Sequence, residues 1–445
     1  MKELENFYKK LCKITDCNTE LTIDSARKIV QQINKFLFTN YEGIGNTQAL
    51  GESFQYLSEF HKFWETYHKE ILDIKIDEIQ CEKVVDALIP IYDLTEGSAF
   101  KEVYDTGNLT PEEMCKIRFL TANQDFRTSI GFSDFAKMYD SDNGLFDIQV
   151  INANPQAFLA SLGLSGLSQS DKRILYAKSI TDFLIEKQCE PYELLSYYRN
   201  DLYRLREDLI SYQGSGFGNK KTDMFIRDMV VLGVWKDVKN FDKIDVASDV
   251  NTNKVALRSG IIKSAIPLVS SFIDIFCHQY SYVDQMNALA WRKVWEIWQK
   301  KYPDRELLSP CLLDYFVYNV IGKQFCKESL SIFKCDTEDH VFRWHSGNNK
   351  RCQICYSKKI KDRSATRITL VKPCTDVEGF VKILKTPFVT KLPEDKKITE
   401  CPLKKVCSEY GKQNLMPPKS ISIKGRTGWT EAYSDKDNGG GGLMA

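Results

Sequence analysis

Apolar residues recur at helical spacing along most of the chain as far as Leu330. Ser25–Leu37 follows a Thr/Asp start, and Phe60–Tyr67 is aromatic and amphipathic. Ser168–Leu184 and Ser196–Leu209 each continue the same spacing as one amphipathic helix, and Asn108–Met114 carries a Thr cap before proline and glutamates. Because few stretches alternate with a period of two, the pattern predicts a mostly helical, all-α protein.

Changes in composition divide this pattern into four regions. Residues 1–130 are predicted to be an N-terminal helical region, and residues 131–330 the helical core. Residues 331–416 are rich in cysteine and in basic side chains. Residues 417–445 begin with two prolines and contain four consecutive glycines, which predicts a flexible tail.

The bulk composition is that of a globular protein. The residues are 43% hydrophobic and 27% charged. A length of 445 residues is enough for two to three domains with a buried core. No run of 18 apolar residues is present, and the first residues lack the apolar stretch of a secretory signal. We expect a monomer without a membrane partner, in the cytoplasm or, in a eukaryote, the nucleus.

Charge is distributed unevenly along the chain, whose formal total is +1. Between Arg343 and Arg426, Lys and Arg outnumber Asp and Glu by 20 to 7, so this block carries +13 and the remainder −12. A basic block beside an acidic body is the pattern expected of a protein that contacts nucleic-acid phosphates on one face. A solvated basic tail gives the same pattern.

The 14 cysteines fall into two groups. In a long chain without an export signal, cysteines are expected as buried thiols or as metal ligands. Seven are scattered, and we interpret them as core residues: Cys12, Cys17, Cys81, Cys115, Cys189, Cys277 and Cys311. Seven crowd into the C-terminal quarter, which indicates metal binding there: Cys326, Cys335, Cys352, Cys355, Cys374, Cys401 and Cys407.

The most informative motif is a glycine-rich turn between two helical segments. A helix leads into Gly214, Gly216 and Gly218, and a second helix is predicted to begin near Asn219. Glycines allow positive φ and a close approach of the backbone to a ligand. Free N–H groups at a helix start bind phosphate, so these four residues and Lys221 are candidates for DNA contact. A plain connection between two helices also accommodates such glycines.

The turn Gly216-Phe-Gly-Asn-Lys-Lys-Thr-Asp resembles the Gly-Val-Gly-Thr-Lys-Val-Ala-Asp hairpin of 8-oxoguanine DNA glycosylases, which belong to the helix-hairpin-helix superfamily. The resemblance places Lys220 on the catalytic lysine of that family, with Lys221 as the alternative if the register shifts by one. Such an amine attacks C1′ of deoxyribose once it has lost its proton, and the resulting Schiff base permits strand cleavage by β-elimination. In monofunctional relatives this position only contacts phosphate.

A second resemblance begins at Ser248, where Ser-Asp-Val-Asn is similar to the Pro-Val-Asp-x-His segment of the family. It implies that Asp249 is the catalytic aspartate, which stabilises the cationic sugar as the base leaves and helps to deprotonate the nucleophile. Asp249 is also predicted to cap the following helix. The family proline is absent, Asn251 replaces the histidine, and the separation from Lys220 along the chain is long, so Asp245 is the fallback.

The C-terminal cysteines resemble the cluster region of endonuclease III-like members of the superfamily. Leu312–Cys326 is similar to the helix that leads to the first cluster ligand, and Cys401-Pro-Leu-Lys-Lys-Val-Cys407 is similar to the terminal cysteine pair. The compact family spacing is absent, because a long insertion separates Cys326 from Cys401. The resemblance implies a structural 4Fe–4S cluster on four cysteines. These are Cys326, Cys374, Cys401 and Cys407.

The insertion between these cysteines has the spacing of a zinc knuckle. Cys352-Gln-Ile-Cys355, with Cys335 and His340 upstream, suits tetrahedral zinc. His345 is the alternative to His340. In a further alternative, Cys352 or Cys355 joins the cluster and no zinc is bound.

Together these resemblances imply the two-subdomain glycosylase fold over residues 130 to about 410, with a cleft that accepts a modified base flipped from double-stranded DNA. Family likeness favours 8-oxoguanine excision in DNA repair, with or without AP-lyase activity. One alternative substrate is a hypermodified base, such as glucosylated hydroxymethylcytosine in phage DNA, excised in antiviral defence. Further alternatives are a free nucleoside in salvage and a DNA-binding module without catalysis.

Overall fold

The structure is a computed structural model. It describes residues 10, 13–14, 21–39, 63–101, 108–266 (without 127, 129 and 168), 280–326, 398, 400–408 and 410, together with five C-terminal strands. Within these residues the chain is mostly helical, which confirms the all-α prediction. In the same residues, no helix is long and apolar enough to cross a membrane.

Fourteen α-helices are found among the described residues. In chain order they are α1 (Ile23–Thr39), α2 (63–72), α3 (Glu78–Thr95), α4 (Pro111–Ala122), α5 (Phe132–Ser141), α6 (Ile148–Ala153), α7 (Pro155–Ser161), α8 (Ser170–Lys187), α9 (Leu194–Tyr197), α10 (Leu202–Ser211), α11 (Asn219–Val231), α12 (Val250–Ser259), α13 (Tyr280–Lys301) and α14 (Leu312–Tyr315). A π-helix, Phe316–Phe325, continues α14 directly.

The strands are short and antiparallel. They are β1 (Lys75–Ile76), β2 (Ile262–Lys263), β3 (Ser331–Cys335), β4 (His340–Trp344), β5 (Ile368–Lys372), β6 (Ile421–Lys424) and β7 (Trp429–Ala432). β1 pairs with β2, β3 lies between β4 and β5, and β6 pairs with β7. The β6–β7 hairpin lies within the segment that the sequence predicts to be a flexible tail.

Helix starts follow the local capping chemistry. Thr110 Oγ1 accepts from the Glu113 backbone N–H at 3.2 Å, and the Glu113 carboxylate accepts from the Thr110 N–H at 2.8 Å. This reciprocal capping box, with Pro111 in the first turn, confirms the helix start predicted at this point.

The single helix predicted over Ser196–Leu209 is wrong, because the chain breaks in its middle. Arg199 and Asn200 adopt left-handed φ values of 56° and 63°, which end α9. Asp201 then starts α10, since its Oδ1 accepts from the backbone N–H groups of Tyr203 and Arg204 at 3.1 and 3.2 Å. Periodicity alone misses this break because the apolar spacing runs on through it.

The segment before α4 packs against elements from much later in the chain. Helix α3 packs against α13, and Lys75 of β1 is paired with Lys263 of β2. The Asp77 N–H donates to Ile261 O at 3.0 Å, and the Ala265 N–H donates to Leu72 O at 2.9 Å. Residues 63–100 are therefore part of the same packed unit as α12, α13 and the π-helix.

A buried ionic network joins α4, α11 and α14. Arg118 donates to Asp228 Oδ2 through Nε at 2.9 Å and through Nη2 at 2.7 Å. Arg227 donates to Asp228 Oδ1 and, on its other side, to Asp314 Oδ2. All four side chains are almost fully buried, so the pairing offsets the large cost of taking these charges out of water.

The end of α12 is held by residues from distant parts of the described chain. Gln80 Nε2 donates to Ser259 O and to Val406 O, each at 2.7 Å. Cys407 Sγ lies 3.2 Å from Arg258 O. The segment 401–408 thus docks against the C-terminal turn of α12, the helix whose first turn carries Asp249.

Candidate active site

The glycine turn before α11 requires glycine at two positions. Gly214 and Gly216 have φ values of 78° and 71°. A Cβ at Gly216 would lie 2.7 Å from the ring of Tyr176, and one at Gly214 would lie 2.7 Å from Ser179 Oγ. The turn therefore presses against α8, which explains both the backbone conformation and the missing side chains.

Two side chains fix this turn in place. Phe217 is buried and stacks on Phe119 with a centroid distance of 5.4 Å, while Phe225 meets it edge-on at 6.0 Å. The buried Asn123 amide donates to Ser215 O at 2.9 Å and to Tyr176 O at 3.1 Å. The turn is consequently a rigid support for the helix that follows it.

Helix α11 begins at Asn219, as predicted. Gly218 precedes it in an extended conformation and supplies no side-chain cap to the first N–H groups. No described atom lies within 4 Å of the position a Cβ would take at Gly218, so the approach to the helix start is open. Asn219 and Lys220 are exposed at this start.

Lys220 and Asp249 meet across two helix starts. Lys220 Nζ lies 3.8 Å from Asp249 Oδ2. The lysine side chain is 45% exposed, whereas the aspartate side chain is only 10% exposed. An accessible amine thus lies beside a largely buried carboxylate. The two motifs predict that these residues lie together, but they do not predict this difference in exposure.

Asp249 is the cap of α12, which confirms its predicted local role. Its Oδ1 accepts from the backbone N–H groups of Asn251 and Thr252 at 2.8 and 2.9 Å. Oδ2 accepts from the Asn251 amide at 3.3 Å and is the oxygen nearest Lys220. Capping therefore occupies Oδ1 of Asp249 and leaves Oδ2 directed at the Lys220 amine.

The π-helix packs directly behind this cap. Gly322 lies so close to α12 that an added Cβ would be 2.9 Å from Asn251 Cβ and 3.4 Å from Asn251 O. The Leu312–Cys326 segment is helical as predicted, but most of it is wound as a π-helix, a form that often occurs at functional sites. Its position explains how the start of α12 is held.

Lys221, the alternative nucleophile and a predicted DNA contact, turns inward. Its ammonium donates to Asp125 O and lies 3.6 Å from Asp125 Oδ2. The pKa of Lys221 is lowered to about 8, mainly by burial and also by the charge of Lys220, while Asp125 opposes the shift. Lys221 ties α11 to the end of α4, and Lys220 is the lysine that meets Asp249.

Asp245, the fallback aspartate, has a different partner. Arg292 Nε donates to Asp245 Oδ1 at 2.7 Å, and Arg292 Nη1 donates to Asp242 O at 3.0 Å. Burial raises the pKa of Asp245, against the lowering effect of Arg292. Asp249 rather than Asp245 is thus the carboxylate paired with a lysine at the start of α11.

A second carboxylate near the pair is missed by the sequence analysis. Asp284, in the first turns of α13, accepts from the Asn253 amide at 2.7 Å. Burial raises the pKa of Asp284 to about 6; the charge of Lys220 lowers it and that of Asp249 raises it. No motif surrounds Asp284, and only the packing of α13 on α12 brings it to the site.

The predicted metal ligands are only partly described. The pKa of the Cys401 thiol is raised to about 12, mainly by burial and also by the nearby Cys326 and Cys407. Among the described residues, no group of three or more His, Cys, Asp or Glu side chains is arranged to hold a metal ion. Cys335 and His340 are register partners in β3 and β4. Outside the described residues lie Cys352, Cys355, Cys374 and His345.

The arrangement as a whole brings an amine and a carboxylate together beside an open helix start. Comparisons of the chain with protein-family models, with curated proteins and with solved structures gave no match. What the molecule does is therefore inferred from the geometry of this site and from the motifs that form it.

Proposed function

We propose that this protein is a DNA glycosylase of the helix-hairpin-helix class, with Lys220 and Asp249 as its catalytic residues. The observation that carries the proposal is the 3.8 Å distance between Lys220 Nζ and Asp249 Oδ2. The two residues are far apart in the sequence and start different helices, so local chain geometry does not force them together. An amine and a carboxylate so placed suit attack on the sugar of an extruded nucleotide.

Helix packing supports a two-subdomain arrangement. Helices α4 and α5 pack together, as do α10 and α11, and α11 contacts α4. Helix α13 packs against α3 and α12, and the π-helix packs on α12. We place the substrate cleft where the starts of α11 and α12 meet. In this arrangement the segment 63–100 contributes to the subdomain that carries Asp249.

Double-stranded DNA is the proposed partner. The N-terminal N–H groups of α11 carry no side-chain cap from Gly218, and the turn leaves open space beside them. Such a helix start binds a backbone phosphate through its N–H groups and its dipole, without reading the base sequence. A phosphate held here would bring the adjacent deoxyribose toward Lys220.

The proposed chemistry divides the work between the two side chains. The base departs with the electron pair of the C1′–N bond and takes up a proton, while the Asp249 carboxylate stabilises the cationic sugar. Lys220 Nζ gives up a proton and donates its lone pair to C1′, forming a new C1′–N bond. Opening of the sugar ring then breaks the C1′–O4′ bond and moves a proton from the nitrogen to O4′, which yields a Schiff base. Loss of a C2′ proton forms the C2′–C3′ double bond and breaks the C3′–O bond, and the 3′ phosphate leaves.

Transfer of the Lys220 proton to Asp249 requires the two side chains to move slightly closer together. Nζ and Oδ2 are separated by 3.8 Å, beyond hydrogen-bond distance. Catalytic hydrogen bonds are often long without substrate and shorten in the complex. Lys220 is the partner free to move, because Asp249 is held by two backbone N–H groups.

Borohydride trapping on a panel of duplexes tests this function. The panel contains 8-oxoguanine, uracil, an alkylated purine and glucosylated hydroxymethylcytosine. We expect one duplex to give base release and a covalent protein–DNA adduct, and Lys220→Ala to lose the adduct. Lys236→Ala is the control, since Lys236 is an exposed lysine beyond the far end of α11.

The other outcomes are equally informative. Base release without an adduct would assign a monofunctional mechanism. An adduct that survives in Lys220→Ala but is lost in Lys221→Ala would move the nucleophile by one residue. Salt-dependent duplex binding without base release from any duplex would contradict the glycosylase and favour a DNA-binding module.

The metal sites stay predictions. Cys326, Cys401 and Cys407 are near one another, and a thiolate cluster there would fasten the segment 401–408 to the end of α12. The described cysteines alone do not form a metal site. Iron, sulfide and zinc analysis of the purified full-length protein tests both sites, with Cys401→Ala as the variant expected to lose iron.

A further inference from the structure

The first turns of α13 lie against the start of α12 and bring a second acid to the site. Ser248 Oγ donates to the backbone oxygen of Asp284 at 2.8 Å. The buried Asn253 donates from its amide to Asp284 Oδ1 at 2.7 Å. Asp284 is thus held by Ser248 and Asn253, which lie on either side of Asp249 along the chain.

The same face of α13 braces the cap through a second side chain. The buried Asn287 donates to Ser248 Oγ at 2.9 Å and to Thr252 Oγ1 at 3.0 Å. Thr252 Oγ1 in turn accepts from the Asp249 N–H at 2.9 Å. The backbone of Asp249 therefore sits in a polar network anchored on α13.

Charge as well as geometry connects Asp284 to the catalytic pair. The charged groups that act on its carboxyl group are Lys220, at the start of α11, and Asp249, at the start of α12. The ammonium favours the ionised form of Asp284, whereas the carboxylate of Asp249 disfavours it. With burial as the largest effect, the pKa of Asp284 rises to about 6.

We propose that Asp284 is a positioning residue for the Lys220–Asp249 pair and acts as a second carboxylate on the same ammonium. This inference rests on the proposed function and deepens it. When Asp284 is ionised, it helps to hold the proton on Lys220 Nζ. When it is protonated, that hold weakens and the amine becomes more reactive, while the bond from Asn253 is kept.

Competitive labelling measures this effect without any DNA substrate. The full-length protein is treated with trace acetic anhydride from pH 5 to pH 8, and mass spectrometry compares labelling of Lys220 with that of the exposed Lys236. In Asp284→Asn the ratio should equal that of the unmodified protein at pH 5. By pH 8 the ratio should rise to about threefold above that of the unmodified protein, because the variant lacks the negative charge that favours the ammonium form of Lys220. The midpoint of this divergence should lie near pH 6.

Asp182 offers a matched control, because its carboxylate accepts the same type of hydrogen bond in another part of the protein. Asn152 donates to Asp182 Oδ1 at 2.7 Å on α8, as Asn253 does to Asp284. Asp182→Asn should leave the Lys220 labelling ratio unchanged at every pH. If Asp284→Asn fails to fold, the unmodified protein still provides the test, because its own labelling ratio should change slope near pH 6.

The results separate this inference from the proposed function. Identical ratios in Asp284→Asn and the unmodified protein from pH 5 to pH 8 would overturn the role of Asp284. A pH-dependent divergence with no base release from any duplex would contradict the glycosylase while retaining the charge coupling. A pH-independent loss of excision in Asp284→Asn would reduce Asp284 to a structural residue and also overturn the inference.

Discussion

Gly216 packs with its α-carbon against the face of Tyr176, so closely that an added methyl group would meet the ring at 2.7 Å. Gly218, two residues later, has open space around the same position. The two glycines of one turn therefore serve different needs. The first allows the turn to form against α8, and the second leaves the approach to α11 unobstructed.

Gly216→Ala should destabilise the protein by at least about 1 kcal/mol, because the alanine must adopt φ near 71° and displace the Tyr176 ring. Gly218→Ala should change the free energy of unfolding by less than about 0.5 kcal/mol, since its backbone is extended. Urea denaturation of the two variants measures the difference. Equal stabilities would show that the turn does not pack as the structure has it.

Asp249→Asn should separate capping from chemistry. Asparagine caps a helix as well as aspartate, so the free energy of unfolding should change by less than about 0.5 kcal/mol. Without the carboxylate, excision should slow by about 100-fold or more. Single-turnover base release, measured beside thermal unfolding, tests both statements.

Asp201→Asn is the matched control for this substitution. Asp201 caps α10 through two backbone N–H groups, as Asp249 caps α12. The same exchange there should leave both stability and excision unchanged. A comparable loss of excision in both variants would mean that the effect of Asp249→Asn is conformational.

Asp228→Asn should be strongly destabilising, by about 3–5 kcal/mol, because it leaves Arg118 and Arg227 with an unbalanced buried charge. Asp93→Asn removes an aspartate from an exposed pair with Arg305 and should cost about 0.5 kcal/mol or less. Chemical denaturation of both variants gives the comparison. A small effect at Asp228 would indicate that water enters the network between α4, α11 and α14.

The raised pKa of Asp284 also sets a direction for stability against pH. Its pKa of about 6 in the folded protein exceeds the ordinary value of 3.8, so the folded state binds this proton more tightly. The contribution is fully present below about pH 4 and is lost as the pH rises through 6. Asp284→Asn should therefore gain up to about 3 kcal/mol over the unmodified protein at pH 8, and less at pH 5. Denaturation at the two pH values checks the sign.

Local signals are sufficient for several parts of this fold. The starts of α4, α11 and α12 are readable from Thr110, Gly218 and Asp249, because capping and turn chemistry depend on residues within one helical turn. The pairing of Lys220 with Asp249 follows from the resemblance of two motifs. The break at Arg199 and Asn200 is not readable from periodicity: asparagine favours a left-handed conformation but arginine does not, and the apolar spacing continues through both residues.

Tertiary contacts account for what the sequence does not predict. Asp284 reaches the site only because α13 packs on α12, and Lys221 turns inward only because Asp125 lies beside it. The pairing of β1 with β2 joins Lys75 to Lys263, which are far apart in the sequence. Such long-range neighbours leave no periodic or local pattern, so a single sequence does not reveal them.

The amide of Gln80 bonds at once to Ser259 and to Val406, which lie in the middle and in the C-terminal part of the chain. Helix α12 consequently cannot reach its finished surroundings until the segment around Val406 has left the ribosome. The glycine turn and Asp249 are both synthesised well before the segment that holds the C-terminal turn of α12. Completion of the described contacts of α12 is in this way one of the last steps in making the chain.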